Sequence, residues 1–232
     1  MFQRMRNIGL MVMAFLLFPF LVTAQKEEWG KHRLKFTPTR LINAFHPGLE
    51  LGYEYCYGRF SSQVSAAYLF NSTVFVYNSL SGYHLKFEEK FFIKRQPRNN
   101  RIKFYSSVEI CYNDVNNNQN HLFLPAEAKQ MIWSEREKYV YKDDFDLKRK
   151  AVVTNMKFGI QIKPKKANKI IIEPCGGIGI NFQNVSHYNR PPNDMLFYEE
   201  GSIAGDIDSF TEYEGFSVLL NLTLAFRIGY IF

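Results

Sequence analysis

From Phe216 to Phe232 every second residue is apolar, and no other stretch of the chain restricts its fold as severely. Phe216, Val218, Leu220, Leu222, Leu224, Phe226, Ile228, Tyr230 and Phe232 share one parity, while Ser217, Leu219, Asn221, Thr223, Ala225, Arg227, Gly229 and Ile231 fill the other. Successive side chains of a β-strand point to opposite faces, so the segment reads as one strand with an apolar face and a mostly polar face. Strands of soluble proteins usually run about 5 to 6 residues, and a tilted strand crossing a bilayer needs roughly 9 to 11. A run this long predicts β-structure in lipid.

The opposite terminus predicts export. Arg4 and Arg6 precede an apolar stretch from Ile8 to Val22, and Val22-Thr23-Ala24 supplies short side chains before Gln25. That arrangement is read as a cleaved signal peptide over residues 1–24, followed by a short lead at 25–30 and a barrel over 31–232. No later apolar run has the length of a membrane helix, so strands must do any spanning, because lipid admits only helices and closed barrels.

Alternation recurs upstream in the segments Ile170 to Phe182, Val152 to Ile162, Ile102 to Tyr112, Tyr83 to Ile93, Phe60 to Phe70 and Leu49 to Tyr57, with a weaker one near His32 to Pro38. The expected fold is all-β: a transmembrane antiparallel up-and-down β-barrel of about eight strands. Short connections at Gly58-Arg59, 95–100 and 164–168 alternate with long ones at 39–47, 71–82, 113–150 and 183–215. Outer-membrane barrels have short periplasmic turns and long extracellular loops, which places the chain in the cell outer membrane with 113–150 and 183–215 outside. Aromatics, 16% of the chain, gather at the ends of the outward parity, as two interfacial girdles would require. Pro174 falls inside an expected strand and cannot donate to a ladder, so a bulge or local break is expected there.

The inward parity collects charge of both signs. Lys35, Lys86, Lys90, Lys103, Lys157 and Arg227 are predicted to face Glu50, Glu54, Glu88, Glu109 and Glu173 within a lumen that eight strands leave just wide enough for side chains. Such charges must pair, because an isolated buried ion is heavily penalised, so a polar plug is expected and not an open solute pore. A soluble lipocalin-like carrier is the alternative, with the apolar parity turned inward around a ligand.

The formal charge is +7, which falls to +5 without Arg4 and Arg6; no basic cluster is interleaved with stacking aromatics, which argues against a nucleic-acid partner. Cys56, Cys111 and Cys175 lack ligand spacing, and His46, His84, His121 and His187 form no H-x-x-x-H pair, so no metal or cofactor is expected. Ser81 with His84 is the best available nucleophile and base for an alternative reading, an enzyme that modifies lipid A. The acidic loop at 183–215, with Asp194, Glu199, Glu200, Asp206, Asp208, Glu212 and Glu214, and the segment Ala126 to Lys138, readable as a short helix, are the other features of note.

The export signal, the alternating strands and the ending Phe226-Arg227-Ile228-Gly229-Tyr230-Ile231-Phe232 resemble small outer-membrane barrels of the OmpA and OmpX kind. The resemblance implies that Phe226, Ile228, Tyr230 and Phe232 form the signal read by the barrel assembly machinery. It also implies a barrel without the peptidoglycan-binding domain of OmpA. The function expected on these grounds is non-enzymatic: envelope structure, or display of extracellular loops for adhesion or binding. Partners would be outer-membrane lipid and lipopolysaccharide, with an extracellular protein or glycan at the loops.

Overall fold

The structure is a computed structural model that describes residues 30–41, 47–71, 79–93, 101–125, 127–128, 137–189, 195–196 and 214–232. The expected signal peptide, most of the segment Ala126 to Lys138 and the acidic part of 183–215 up to Glu212 lie outside the described residues. Its strands are β1 (His32–Phe36), β2 (Gly48–Tyr57), β3 (Phe60–Leu69), β4 (Ser79–Ile93), β5 (Ile102–Leu124), β6 (Tyr141–Ile162), β7 (Ile170–Tyr188), β8 (Met195–Leu196) and β9 (Gly215–Ile231). Eight of them pair antiparallel with their neighbours in sequence, and β1 closes on β9 to complete a ring. The two-residue β8 stands apart, added to the end of β5 through Phe123↔Leu196 and Leu124↔Met195.

The ring's dimensions follow from its registers. Leu34 pairs with Tyr53, and the row continues through Val64, Phe87, Ile110, Thr154 and Ile180 to Leu220. Leu34's own partner on β9 is Tyr230, ten residues beyond Leu220. For eight strands at about 4.7 Å spacing and about 3.3 Å rise, that stagger sets a tilt of roughly 40°.

Chemistry at the turns fits these registers. Tyr57 pairs with Phe60, leaving Gly58 and Arg59 as a two-residue hairpin loop, and Gly58 has φ +66°, which a side chain would disfavour. At Pro174 the β7–β9 ladder runs on unbroken through Pro174↔Phe226. The β6–β7 ladder skips two pairs, between Gly159↔Cys175 and Ile162↔Ile172, with no change of register. Residues directly opposite in an antiparallel pair both point toward each other or both away. Phe226 turns its N–H away from β7, to Thr39 Oγ1 at 3.2 Å, so the missing Pro174 donor falls on the β6 side, where the gap is. The expected break is present; a bulge is not.

The wall changes character along its height. From Tyr83 to Ile93 the outward side chains of β4 are Tyr83, Leu85, Phe87, Glu89, Phe91 and Ile93, while Lys86, Glu88 and Lys90 point in. Those ten steps cover about 25 Å along the axis at about 3.3 Å per residue and roughly 40° tilt. Equivalent apolar outer faces occur on β5 (Val108, Ile110), β6 (Val152, Met156, Phe158), β7 (Ile178, Ile180, Phe182) and β9. Glu89 is the exception, its carboxylate held by the Tyr57 hydroxyl and by Ser62 Oγ at 2.6 Å.

Beyond Tyr83 and Tyr112 the outer face of β4 to β7 turns polar, and the inner face becomes a mixture of apolar side chains with Asn117 and Gln183. The outward positions become Ser79, Ser81, Asn116, Asn118, Asp146, Lys148 and Lys150, and the inward ones include Leu80, Val115, Leu147 and Val185, all buried. Leu80 and Val115 pack with Leu69, and Leu147 and Val185 with Phe123, forming small apolar clusters at this end. The strands therefore continue past the boundaries expected at 113 and 150: β5 reaches Leu124, β6 starts at Tyr141 and β7 reaches Tyr188. A search for outward apolar residues stops where polarity reverses, and the asparagines at 116–118 have poor strand propensity that cross-strand pairing to 148–146 overrides.

β1 is short. After Phe36 the chain leaves the wall in a 3₁₀ turn, Pro38–Arg40, so the β1–β9 pairing covers only Ile228 to Ile231. Above that, among the described residues, Thr39 Oγ1 alone meets the free edge of β9, at Phe226.

Candidate functional site

The charged lumen is the densest constellation of chemistry-bearing side chains. β-alternation sends Arg33 and Lys35 of β1, Glu50 and Glu54 of β2, Glu88 and Lys90 of β4, Glu109 of β5, Lys157 of β6, Glu173 of β7 and Arg227 of β9 to the same interior. Arg33, Lys35, Lys90, Lys157 and Arg227 are each at most 1% exposed, so their charges must be met inside.

They are met in layers. Nearest the short turns, Glu54 receives Arg33 at 3.1 Å, Lys35 at 3.0 Å and Lys90 at 2.9 Å, with Ser61 Oγ donating at 2.9 Å. Beside it Glu173 pairs with Lys35, with Lys90 at 2.8 Å and with Arg227 at 2.9 Å, and accepts the Tyr105 hydroxyl at 2.9 Å and Gln161 Nε2 at 2.7 Å. In the middle layer Glu88 and Glu109 share two cations. Lys157 lies 2.9 and 2.6 Å from them and Arg227 2.7 and 3.5 Å. Ser107 donates to Glu88 at 2.6 Å, and Asn155 to Glu109 at 2.9 Å. Higher still, Glu50 pairs with Lys86 at 2.6 Å and accepts Thr37 Oγ1 at 3.0 Å.

Ten of the eleven charged residues expected in the lumen join this network. Lys103 lies apart near the short turns, its ammonium 5.6 Å from the centre of the Phe92 ring. Arg33, Tyr105 and Gln63 join the network beyond the expected set, as does Gln161, which shares the polar parity of Lys157. Arg33 shares the parity of Lys35, and Tyr105 that of Lys103, so alternation alone would have found both. Tyr105 is turned in because its partner is Gly159, where a Cβ would stand only 2.3 Å from the Tyr105 hydroxyl oxygen.

His84 belongs to the interior and not to a loop. It is buried on β4, with Nδ1 2.5 Å from Arg40 Nη2, so the 3₁₀ turn is anchored inside the ring. Ser81, of opposite parity on the same strand, points outward and is exposed. Three residues apart on a strand, the two side chains stand on opposite faces of the wall, and a hydroxyl activated by that imidazole is geometrically excluded. His187 faces inward near the loop end, whereas His46 and the side chain of His121 lie outside the described residues. Cys56, Cys111 and Cys175 are buried, unlinked thiols. Among the described residues no three His, Cys, Asp or Glu side chains are arranged to hold a metal ion.

Phe226, Ile228, Tyr230 and Phe232 share the outward face of β9, and Phe232 stacks on His32 at 6.0 Å between centroids. The rings continue through Tyr55, Tyr57 and Phe60 to Phe91, a belt across five strands at the end with the short turns.

No family model, characterised protein or solved structure matches the chain. Its lumen therefore has to be judged on its own chemistry. Buried ion pairs are expensive to assemble, but removing one partner strands the other, so an interlocked set of this kind fixes the mutual positions of all the strands that contribute to it. Each carboxylate is already occupied by cations and donors from several strands, an arrangement suited to filling a lumen and ill suited to binding a solute in it.

Proposed function

We propose that the protein is an integral outer-membrane β-barrel with a plugged polar lumen, non-enzymatic, that contributes to envelope structure or presents its loop-end surface for adhesion or binding. The observation that carries this reading is the change of the outer face from apolar to polar along single strands. Below Tyr83 and Tyr112 the wall of β4 to β7 is apolar outside and ionic inside; above them it is polar outside, and its interior mixes Leu80, Val115, Leu147 and Val185 with Asn117, Gln183 and His187. A soluble barrel has no physical reason to change partners midway. A barrel whose lower part meets hydrocarbon and whose upper part meets water does. The apolar zone, about 25 Å high, equals the band typical of such barrels, and aromatic rings lie at both of its ends.

The exposed apolar faces argue against the lipocalin-like alternative, in which a greasy interior would enclose a ligand. The opposed orientations of Ser81 and His84 remove the support for a lipid A-modifying enzyme built on that pair. The resemblance to OmpA and OmpX barrels supports the same assignment, with Phe226 to Phe232 read by the assembly machinery.

Membrane fractionation followed by gel electrophoresis with and without boiling tests the proposal. The expected result is recovery in the outer-membrane fraction and a band that migrates differently after heating. Recovery of folded protein in the soluble fraction without detergent would contradict it.

A further inference from the structure

Just beyond the point where the outer face turns polar, the outer surface carries a cleft of about 500 Å³ between the upper parts of β4, β5, β6 and β7. Its lining includes Asn116, Asn118, Asp146, Lys148 and Tyr188, with the buried Asn117 and Leu147 behind them. We propose that this cleft binds the saccharide of a glycolipid in the leaflet that surrounds the barrel, an inference that rests on the membrane reading above.

Three observations support it. The carboxylate of Asp146 is held in place from both oxygens, by Asn118 Nδ2 at 2.9 Å on Oδ1 and by Asn189 Nδ2 at 3.0 Å on Oδ2, which leaves the remaining lone pairs in a fixed direction. Carboxylate and amide groups that donate and accept side by side suit vicinal hydroxyls, and the exposed ring of Tyr188 offers a flat face to a pyranose. One carboxylate is too few for a divalent cation, and the lining is too polar for an acyl chain.

Position selects the source. Asn116 lies four residues beyond Tyr112 on the same outward face, about 10 Å along the axis at about 3.3 Å per residue and roughly 40° tilt. With Tyr112 at the edge of the hydrocarbon, that height is the sugar zone of the outer leaflet. Its outward-facing lining puts a glycolipid of the surrounding leaflet nearer to it than a free polysaccharide in solution.

The test titrates oligosaccharide released from lipopolysaccharide by complete deacylation into the full-length protein, followed by calorimetry. Saturable binding is expected. Asp146→Asn and Asn116→Ala should each weaken it at least fivefold while the far-ultraviolet circular dichroism stays that of the parent. A silent titration of the parent, unchanged affinity in both variants, or equal binding of dextran would overturn the assignment. A chain that requires detergent yet binds no oligosaccharide overturns the cleft alone. A chain that stays folded in solution without detergent overturns the membrane reading and the glycolipid with it.

Discussion

Glu173 meets Lys35, Lys90 and Arg227, so three buried cations from three strands share one carboxylate, and its neutralisation would leave the remaining Glu54, Glu88 and Glu109 to balance them. Glu89 has the same chemistry on the outer face, met only by two hydroxyls. The inside-versus-outside assignment can be tested by treating them alike. Glu173→Gln should lower stability by about 3–5 kcal/mol, the usual cost of stranding buried charge. Glu89→Gln should leave it unchanged or raise it by about 1–2 kcal/mol, since Glu89 lies four residues from Ile93, about 10 Å inside the apolar band, where a carboxylate is unfavourable. Urea unfolding of detergent-folded protein, monitored by the gel shift, reads both; equal losses would mean that the faces are misassigned. The charged residues of the lumen were legible because alternation converts residue number into a side of the wall. Tyr105 and Phe92 share the inward parity of Lys103 and Lys90 and are placed by the same alternation; what the sequence does not show is the room that Gly159 leaves for the Tyr105 ring and the bond of its hydroxyl to Glu173.

Among the elements, β7 carries the one local conflict between sequence and ladder. Pro174 deletes a donor on the β6 side and shifts no register, so the defect is confined to two missing pairs. Pro174→Val should therefore restore a bond to β6 and raise the unfolding free energy by about 0.5–1.5 kcal/mol. The same urea transitions would show it, and destabilisation would mean that the proline is required by the shape of the wall. The long hairpin of β5 and β6 shows how sequence reading fails at the level of an element. Its lower half obeys apolar-out alternation and reads as strand; its upper half is polar outside and mixed inside, with Asn117 beside Val115 and Leu147, and reads as loop. A pattern search that allowed inversion at Tyr112 would have recovered Val115, Leu147 and Val185 as one inner face. The 3₁₀ turn after β1, by contrast, has no signature beyond Pro38, because it depends on Arg40 reaching His84 on a distant strand.

At the scale of the whole molecule, closure of eight strands with a ten-residue stagger makes a cylinder too narrow to leave its interior empty, and five carboxylates with six cations fill it. The outside is then the only surface free to vary with height, and its composition changes at one level on four neighbouring strands. Whole-barrel topology was readable from strand number, loop alternation and the closing strand; the height at which the environment changes required the registers, which put Tyr112, Val152 and Phe182 in one row and Tyr83 opposite Asp114, two residues beyond Tyr112. The central claim is that the band between that level and the short turns lies in hydrocarbon. Nuclear Overhauser contacts between detergent acyl chains and the side chains of the folded protein measure it without any substitution. The expected result is acyl-chain contact at Leu85, Phe87, Ile110, Met156 and Ile178 and none at Ser81, Asn116 or Lys148. Water contact at Leu85, Ile110 and Met156 in a monomer that needs no detergent would contradict the account.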